Sequence, residues 1–283
     1  LAGRVGGAPG RRAKGIWVRR LSGSQAWVET KAVFRRDGNL IAIVALALLV
    51  LPGTLGDLVQ PQTTPGQVAA PGWWTLVSFV TLLIGIVGQL AIVRVALGER
   101  QTIGEAIGHG FRRAPAFLAA TLLWLLPFLL LFAPFALQVQ ANPQAPPSTA
   151  VLMVLLLTLV FIFFAVRLIL ATPVAGAERL GPVGILKRSW ALTAGVFWRL
   201  LGALLMFFLG LFIVVAAVSL ITGIVTRLLF GVIEPMSVGA LLVALVTQIA
   251  AAALTTLLMV LLTRIYLQRA GGEAEPASVP HAP

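Results

Sequence analysis

Six stretches of this chain each run for about 20 residues with almost no charge, the length a helix needs to cross roughly 30 Å of hydrocarbon. They lie at 39–58, 73–97, 116–137, 149–170, 200–226 and 238–265. A soluble helix repeats its apolar residues every three to four positions and a half-buried strand every second one; these runs show neither period. A membrane strand needs only about ten alternating residues. Lipid offers no water to the backbone, so such runs must close their own hydrogen bonds as helices. Composition agrees: with 59% hydrophobic residues, 11% charged residues and a mean hydropathy of +1.00, 283 residues carry too little polar surface for a water-soluble domain. The expected fold class is all-α, a polytopic integral membrane bundle of six transmembrane helices in three hairpins with amphipathic interfacial helices. Residues 24–270 form the expected membrane domain, between a basic, disordered segment at 1–23 and a disordered tail at 271–283.

The loops fix the expected orientation. Asp57 to Gly72 holds no Lys or Arg, and Gln138 to Ser148 holds no charge at all. The alternating segments hold Lys31, Arg35 and Arg36, then Arg100, Arg112 and Arg113, then Arg179, Lys187, Arg188 and Arg199. Positive segments stay in the cytoplasm. Of 21 Lys and Arg residues, only Arg227 falls in a segment expected outside, so the other 20 obey one topology with both termini cytoplasmic. The net charge of +12 sits beside the spans, which points to anionic lipid headgroups as counter-charge and not to nucleic acid. Trp73 and Trp74 at an outer end, and Trp190, Trp198 and Tyr266 near inner ends, fit aromatic belts.

The three hairpins share a plan. Phe34-Arg35-Arg36 and Phe111-Arg112-Arg113 lie 77 residues apart, and Trp190 follows 79 further on. Each returning span ends with an Arg preceded by Val or Thr and followed by an aliphatic, at Arg94, Arg167 and Arg264. The segment before the third span is amphipathic: Ile103, Ala106, Ile107 and Phe111 share one face, and Glu105, His109 and Arg112 take the other. Thr102 and Glu105 have capping-box spacing, and Pro182 suits the first position of a further amphipathic helix with Val183, Leu186 and Trp190 on one stripe. These helices are expected in the inner interface, or docked as elbows against the spans.

Hydrolytic chemistry needs a positioned base and a nucleophile or metal. The two histidines, His109 and His281, are far apart in sequence, the carboxylates Asp57, Glu99, Glu105, Glu178 and Glu234 scatter over both expected sides, and cysteine is absent. No catalytic residue, metal site or cofactor is expected. Arg94, Arg167, Arg227 and Arg264 sit near span ends, where snorkelling accounts for them. Gln89, Thr247 and Gln248 are the polar mid-span residues, suited to interhelical hydrogen bonds. Pro127 and Pro134 are expected to kink the third span, and Gly85 and Gly88 to permit close packing.

The stretch Ala177-Glu178-Arg179-Leu180-Gly181-Pro182, Leu186-Lys187-Arg188-Ser189-Trp190-Ala191-Leu192-Thr193 and Phe197-Trp198-Arg199-Leu200 resembles the membrane domain associated with bacterial glycerophosphoryl diester phosphodiesterases. Val166-Arg167-Leu168 through Pro173, and Ala26-Trp27, fit the same pattern; the resemblance spans about 24–270 and is sharpest over 165–205. It implies a six-helix module in the bacterial cytoplasmic (inner) membrane, which in some members precedes a phosphodiesterase barrel and in many stands alone. No catalytic residue of that barrel has a matching position here, so its hydrolase activity is not carried over.

The expected function is thus a non-catalytic, lipid-associated scaffold or anchoring module. Its expected partners are membrane phospholipids and a cytoplasmic or membrane protein. The interface residues expected to meet headgroups are Arg35, Arg36, Arg112, Arg113, Arg167, Lys187, Arg188, Trp190, Trp198 and Arg199. The alternative is a small transporter or permease component, since internal repeats often build transport folds; an intramembrane enzyme around His109 ranks third.

Overall fold

The computed structural model describes residues 23–61, 72–98, 102–141, 147–231 and 237–273. These contain helices and no strand. Helix α1 (Gly23–Ala45) passes through a π-helical turn (Leu46–Val50) into α2 (Leu51–Val59); α3 (Trp73–Ala96), α4 (Ile103–Ala141), α5 (Ser148–Arg167), α6 (Ala171–Ala177), α7 (Pro182–Thr193), α8 (Phe197–Phe230) and α9 (Val238–Glu273) follow. Among the described residues, six helical stretches are long and apolar enough to cross a membrane: 25–59, 73–96, 103–141, 148–177 (α5 and α6 together), 197–230 and 238–271. The expected all-α polytopic class is therefore the observed one. Parts of the expected tails and loops, including Arg100, Glu99 and Glu234, lie outside the described residues.

The helix bounds differ from those expected. The amphipathic stretch before the third span is not a separate element: α4 runs unbroken from Ile103 to Ala141 with Pro115, Pro127 and Pro134 inside it. Likewise α1 carries its basic N-terminal turns directly into the first span. Of the two amphipathic helices expected at the interface only α7 is separate, set off by a turn at Ala194–Val196 in which Gly195 takes φ +76°. The capping box is present: Thr102 N–H donates to Glu105 Oε2 at 2.8 Å and Glu105 N–H to Thr102 Oγ1 at 3.3 Å. The π turn sits where Pro52 enters α2. Proline brings no N–H to the ladder, and the Leu51 amide reaches back five residues to Leu46 O.

Burial is concentrated at one end of the bundle. Residues 86–96 of α3 are buried except Gln89 and Arg94; Ala171–Gly176 of α6 are all buried; and 258–266 of α9 are buried except Leu261 and Arg264. By contrast, no residue is buried in α4 between Thr121 and Ala141, nor in α8 between Leu205 and Val225. Lipid tails are as apolar as leucine, so Leu-rich faces gain little by meeting each other; helices associate where small residues allow close approach or polar groups pair. Gly110 shows this: a Cβ there would stand 2.5 Å from the Val87 carbonyl oxygen, so α4 lies directly on the α3 backbone. A Cβ on Gly88 would meet Leu48 Cβ at 2.8 Å on another side of α3, whereas one on Gly85 meets nothing within 4 Å. Of the expected glycine pair, only Gly88 marks a close contact. Helix α3 is the post around which α1, α4, α6 and α9 assemble.

Candidate functional site

The packed end is also where the bundle's basic residues gather. Four helices terminate there, and each leaves carbonyls that its own ladder cannot use. Other helices supply the missing donors. Arg264 Nη2 donates to Ala96 O of α3 at 2.7 Å. Ser189 Oγ and Thr193 Oγ1 donate to Arg167 O of α5 at 3.2 and 3.0 Å. At the end of α6, Arg113 Nε donates to Ala175 O at 2.9 Å and His109 Nε2 to Gly176 O at 2.9 Å. Arg269 Nε and Nη2 donate to Leu192 O and Ala194 O, both at 2.9 Å, closing α7. A guanidinium is well matched to helix ends, because its fixed fork reaches two carbonyls at once and its charge complements the negative end of the helix dipole.

Glu178 ties the same region together. Its backbone carbonyl accepts from Arg113 Nη2 at 2.5 Å, and the same Nη2 donates to Leu180 O at 3.0 Å. Its carboxylate Oε1 accepts from Arg188 Nε at 3.1 Å and from Tyr266 Oη at 2.8 Å. One residue after α6 thus joins α4, α7 and α9. In the sequence Glu178 is one of several scattered carboxylates and Tyr266 fits an aromatic belt; in the fold Tyr266 is buried. The available signal is Tyr266 and Arg269, one helical turn apart on α9 and both aimed into the α6–α7 region.

Arg167 is held differently. Its guanidinium carbon lies 4.9 Å from the Trp190 ring centre, 5.7 Å from Phe163 and 5.9 Å from Phe197. Phe163 and Phe197 are themselves 5.2 Å apart, so α5, α7 and α8 meet around this cation. Snorkelling to water does not describe such a side chain, nor Arg264, which bonds α3.

The ten residues expected at the headgroup interface therefore separate into three groups. Arg113, Arg167 and Arg188 are engaged in the fold. Arg36 pairs with neighbouring Asp37 at 2.6 Å on an exposed surface. Arg35, Arg112, Lys187 and Arg199 are exposed, as are Trp198 (79%) and, at the margin, Trp190. The face of α7 that packs inward is Ile185, Ser189, Leu192 and Thr193, while the expected apolar stripe keeps Val183 and Trp190 exposed. On α4, Ala106 is buried while Phe111 is exposed, and His109 turns toward α6 instead of solvent.

The second half of the chain is similar to a known family. Residues 146–280 match the membrane domain of glycerophosphoryl diester phosphodiesterase. The stretch covers α5 to α9, including the Glu178 junction, the Arg167 cage and the Arg269 contact, while α1 to α4 lie outside it. The family resemblance carried by 165–205 is thus real, and it is to the membrane domain and not to the catalytic one. Neither a curated protein nor a solved structure matches the chain.

Of the polar mid-span residues, Gln248 Nε2 donates to Asp57 Oδ2 at 2.7 Å and Thr247 pairs with Ser219 at 3.2 Å. Facing different helices, they do not converge on one lining. Among the described residues no group of three or more His, Cys, Asp or Glu comes together as a metal site. A groove of 560 Å³ between the π turn, α3 and α4 is lined by apolar side chains, among them Leu48, Ile84, Val87, Phe111 and Leu118.

Proposed function

We propose that this chain is a non-catalytic membrane module that associates with anionic phospholipid through its basic end and there anchors a partner of the cytoplasm or membrane. The observation that carries the reading is the division of labour among the cations. Arg113, Arg188, Arg264 and Arg269 are committed to helix ends and Glu178, while Arg35, Arg112, Lys187 and Arg199 stay exposed on the same bundle. Exposed Trp27, Phe111 and Trp198 accompany them. Cations beside amphipathic rings are what a headgroup layer favours, at about 1 kcal/mol per basic residue near an anionic surface.

The bacterial inner membrane, with both termini cytoplasmic, is the location this reading takes. The test is native mass spectrometry of the purified chain after exposure to equal amounts of phosphatidylglycerol and phosphatidylcholine. The expected result is preferential, salt-sensitive retention of phosphatidylglycerol, reduced when Arg35, Arg112, Lys187 and Arg199 are changed together to Gln. Equal retention of both lipids by the unaltered chain would overturn the reading.

A further inference from the structure

Arg167 differs from the arginines that close helix ends. Arg113, Arg188, Arg264 and Arg269 each find an oxygen within 3.1 Å. Arg167 has no such oxygen at Nε or Nη1, which are buried without an acceptor and face instead the ring cage of Phe163, Trp190 and Phe197. Rings attract a cation but do not neutralise it. Glu178, the carboxylate that joins α6 to α7, is occupied by Arg188 and Tyr266. The third nitrogen, Nη2, is not among the buried unpartnered atoms. A cation is thus held among aromatic rings with two nitrogens buried and one donor edge open.

The surroundings of that edge are apolar and unpaired. Phe163 and Trp190, two of the cage rings, are 38% and 37% exposed. Further along, α5 exposes Leu152, Leu156 and Leu159, and α8 exposes Leu205, Leu209 and Phe212. An anion meeting Nη2 here would carry its own apolar chain to cover these faces, which a soluble anion does not bring. Charge and shape both call for a phosphate on an acyl-chain carrier.

We propose that Arg167, caged by Phe163, Trp190 and Phe197, is a subsite for the phosphate of one anionic phospholipid whose acyl chain lies along α5 and α8. The subsite rests on the lipid-associating role proposed above but is distinct from the diffuse set of exposed cations. Because Nε and Nη1 of its guanidinium are buried, the contact at Arg167 is screened less than those at the exposed cations. It therefore survives salt that strips them.

Native mass spectrometry of the full chain in detergent decides it. The unaltered chain is expected to keep one phosphatidylglycerol at a salt concentration that removes the rest, and so is the variant lacking the four exposed cations. Arg167→Gln should weaken that last lipid about tenfold or more, and Arg167→Lys should weaken it too, because an ammonium lacks the planar face that stacks on Trp190. If Arg167→Gln fails to fold, Trp190→Leu, which removes the ring 4.9 Å from the guanidinium, supplies the same readout. Undiminished retention in the Arg167 variants overturns the subsite and leaves the general lipid preference standing. Displacement of the tight lipid by millimolar inorganic phosphate also overturns it, since the occupant would then be a free anion. No anionic preference in the unaltered chain removes the wider reading as well.

Discussion

Arg112 and Arg113 are neighbours with the same charge, and the structure gives them opposite roles. Arg113 places three hydrogen bonds on carbonyls at the end of α6 and in the following turn, at 2.9, 2.5 and 3.0 Å, while Arg112 is exposed. Arg113→Lys keeps the charge, and with it any effect on orientation or headgroup attraction, but a single ammonium cannot reproduce the fork. If two of the three bonds are lost at about 1.5–3 kcal/mol each, and the lysine recovers part through its own donors, the net destabilisation is about 2–4 kcal/mol. Even the lower figure shifts the folded-to-unfolded ratio roughly 30-fold. Arg112→Lys should change stability by less than about 0.5 kcal/mol. Reversible unfolding in mixed micelles with increasing dodecyl sulfate, followed by circular dichroism, measures both. Equal stability of the two variants would refute the assignment of Arg113 to the α6 terminus.

Glu178→Gln should destabilise by about 1–3 kcal/mol and Tyr266→Phe by about 1 kcal/mol, with the double variant costing less than their sum because both act on one carboxylate; the same titration supplies the cycle, and strict additivity would contradict the shared contact. Gly110→Ala should fold poorly, its new methyl meeting a backbone oxygen, while Gly85→Ala, with open space around it, should be neutral or slightly stabilising as alanine usually is in a helix; comparable yields and melting for the two would count against the α3–α4 contact.

The spans are legible in the sequence because run length alone constrains them: a 20-residue apolar segment has no other satisfactory structure in lipid. Helix ends that carry local signals are legible too, as Thr102 with Glu105 and Pro182 show. What composition does not reveal is which arginine meets which carbonyl. Arg113 reaches residues 62 to 67 positions away, and nothing local distinguishes it from Arg112. Helix α6 is hidden for a related reason. Its residues, 171–177, are small and apolar and follow the expected fourth span, which ends at 170, with no local start signal, so nothing in the sequence marks them as a separate buried turn of helix whose carbonyls need donors from α4. The stretch from Ile103 looks like a separate helix because its polar face sets it apart from the apolar span; in the fold the ladder continues past Pro115 into that span. The Arg167 cage is half legible: Trp190 is expected at the interface, but its place on an arginine 23 residues earlier depends on the α5–α7 packing.

The proposed topology of six crossings puts Arg113, Glu178 and Arg269 on one side of the bilayer and Gln138 and Ser148 on the other. The chain has no cysteine, so single cysteines report sidedness without background. In intact bacterial cells treated with a membrane-impermeant maleimide, Gln138→Cys and Ser148→Cys should label, while Arg179→Cys and Lys187→Cys should label only after the membrane is opened. Labelling of Ser148→Cys and Lys187→Cys from the same side would be incompatible with this topology.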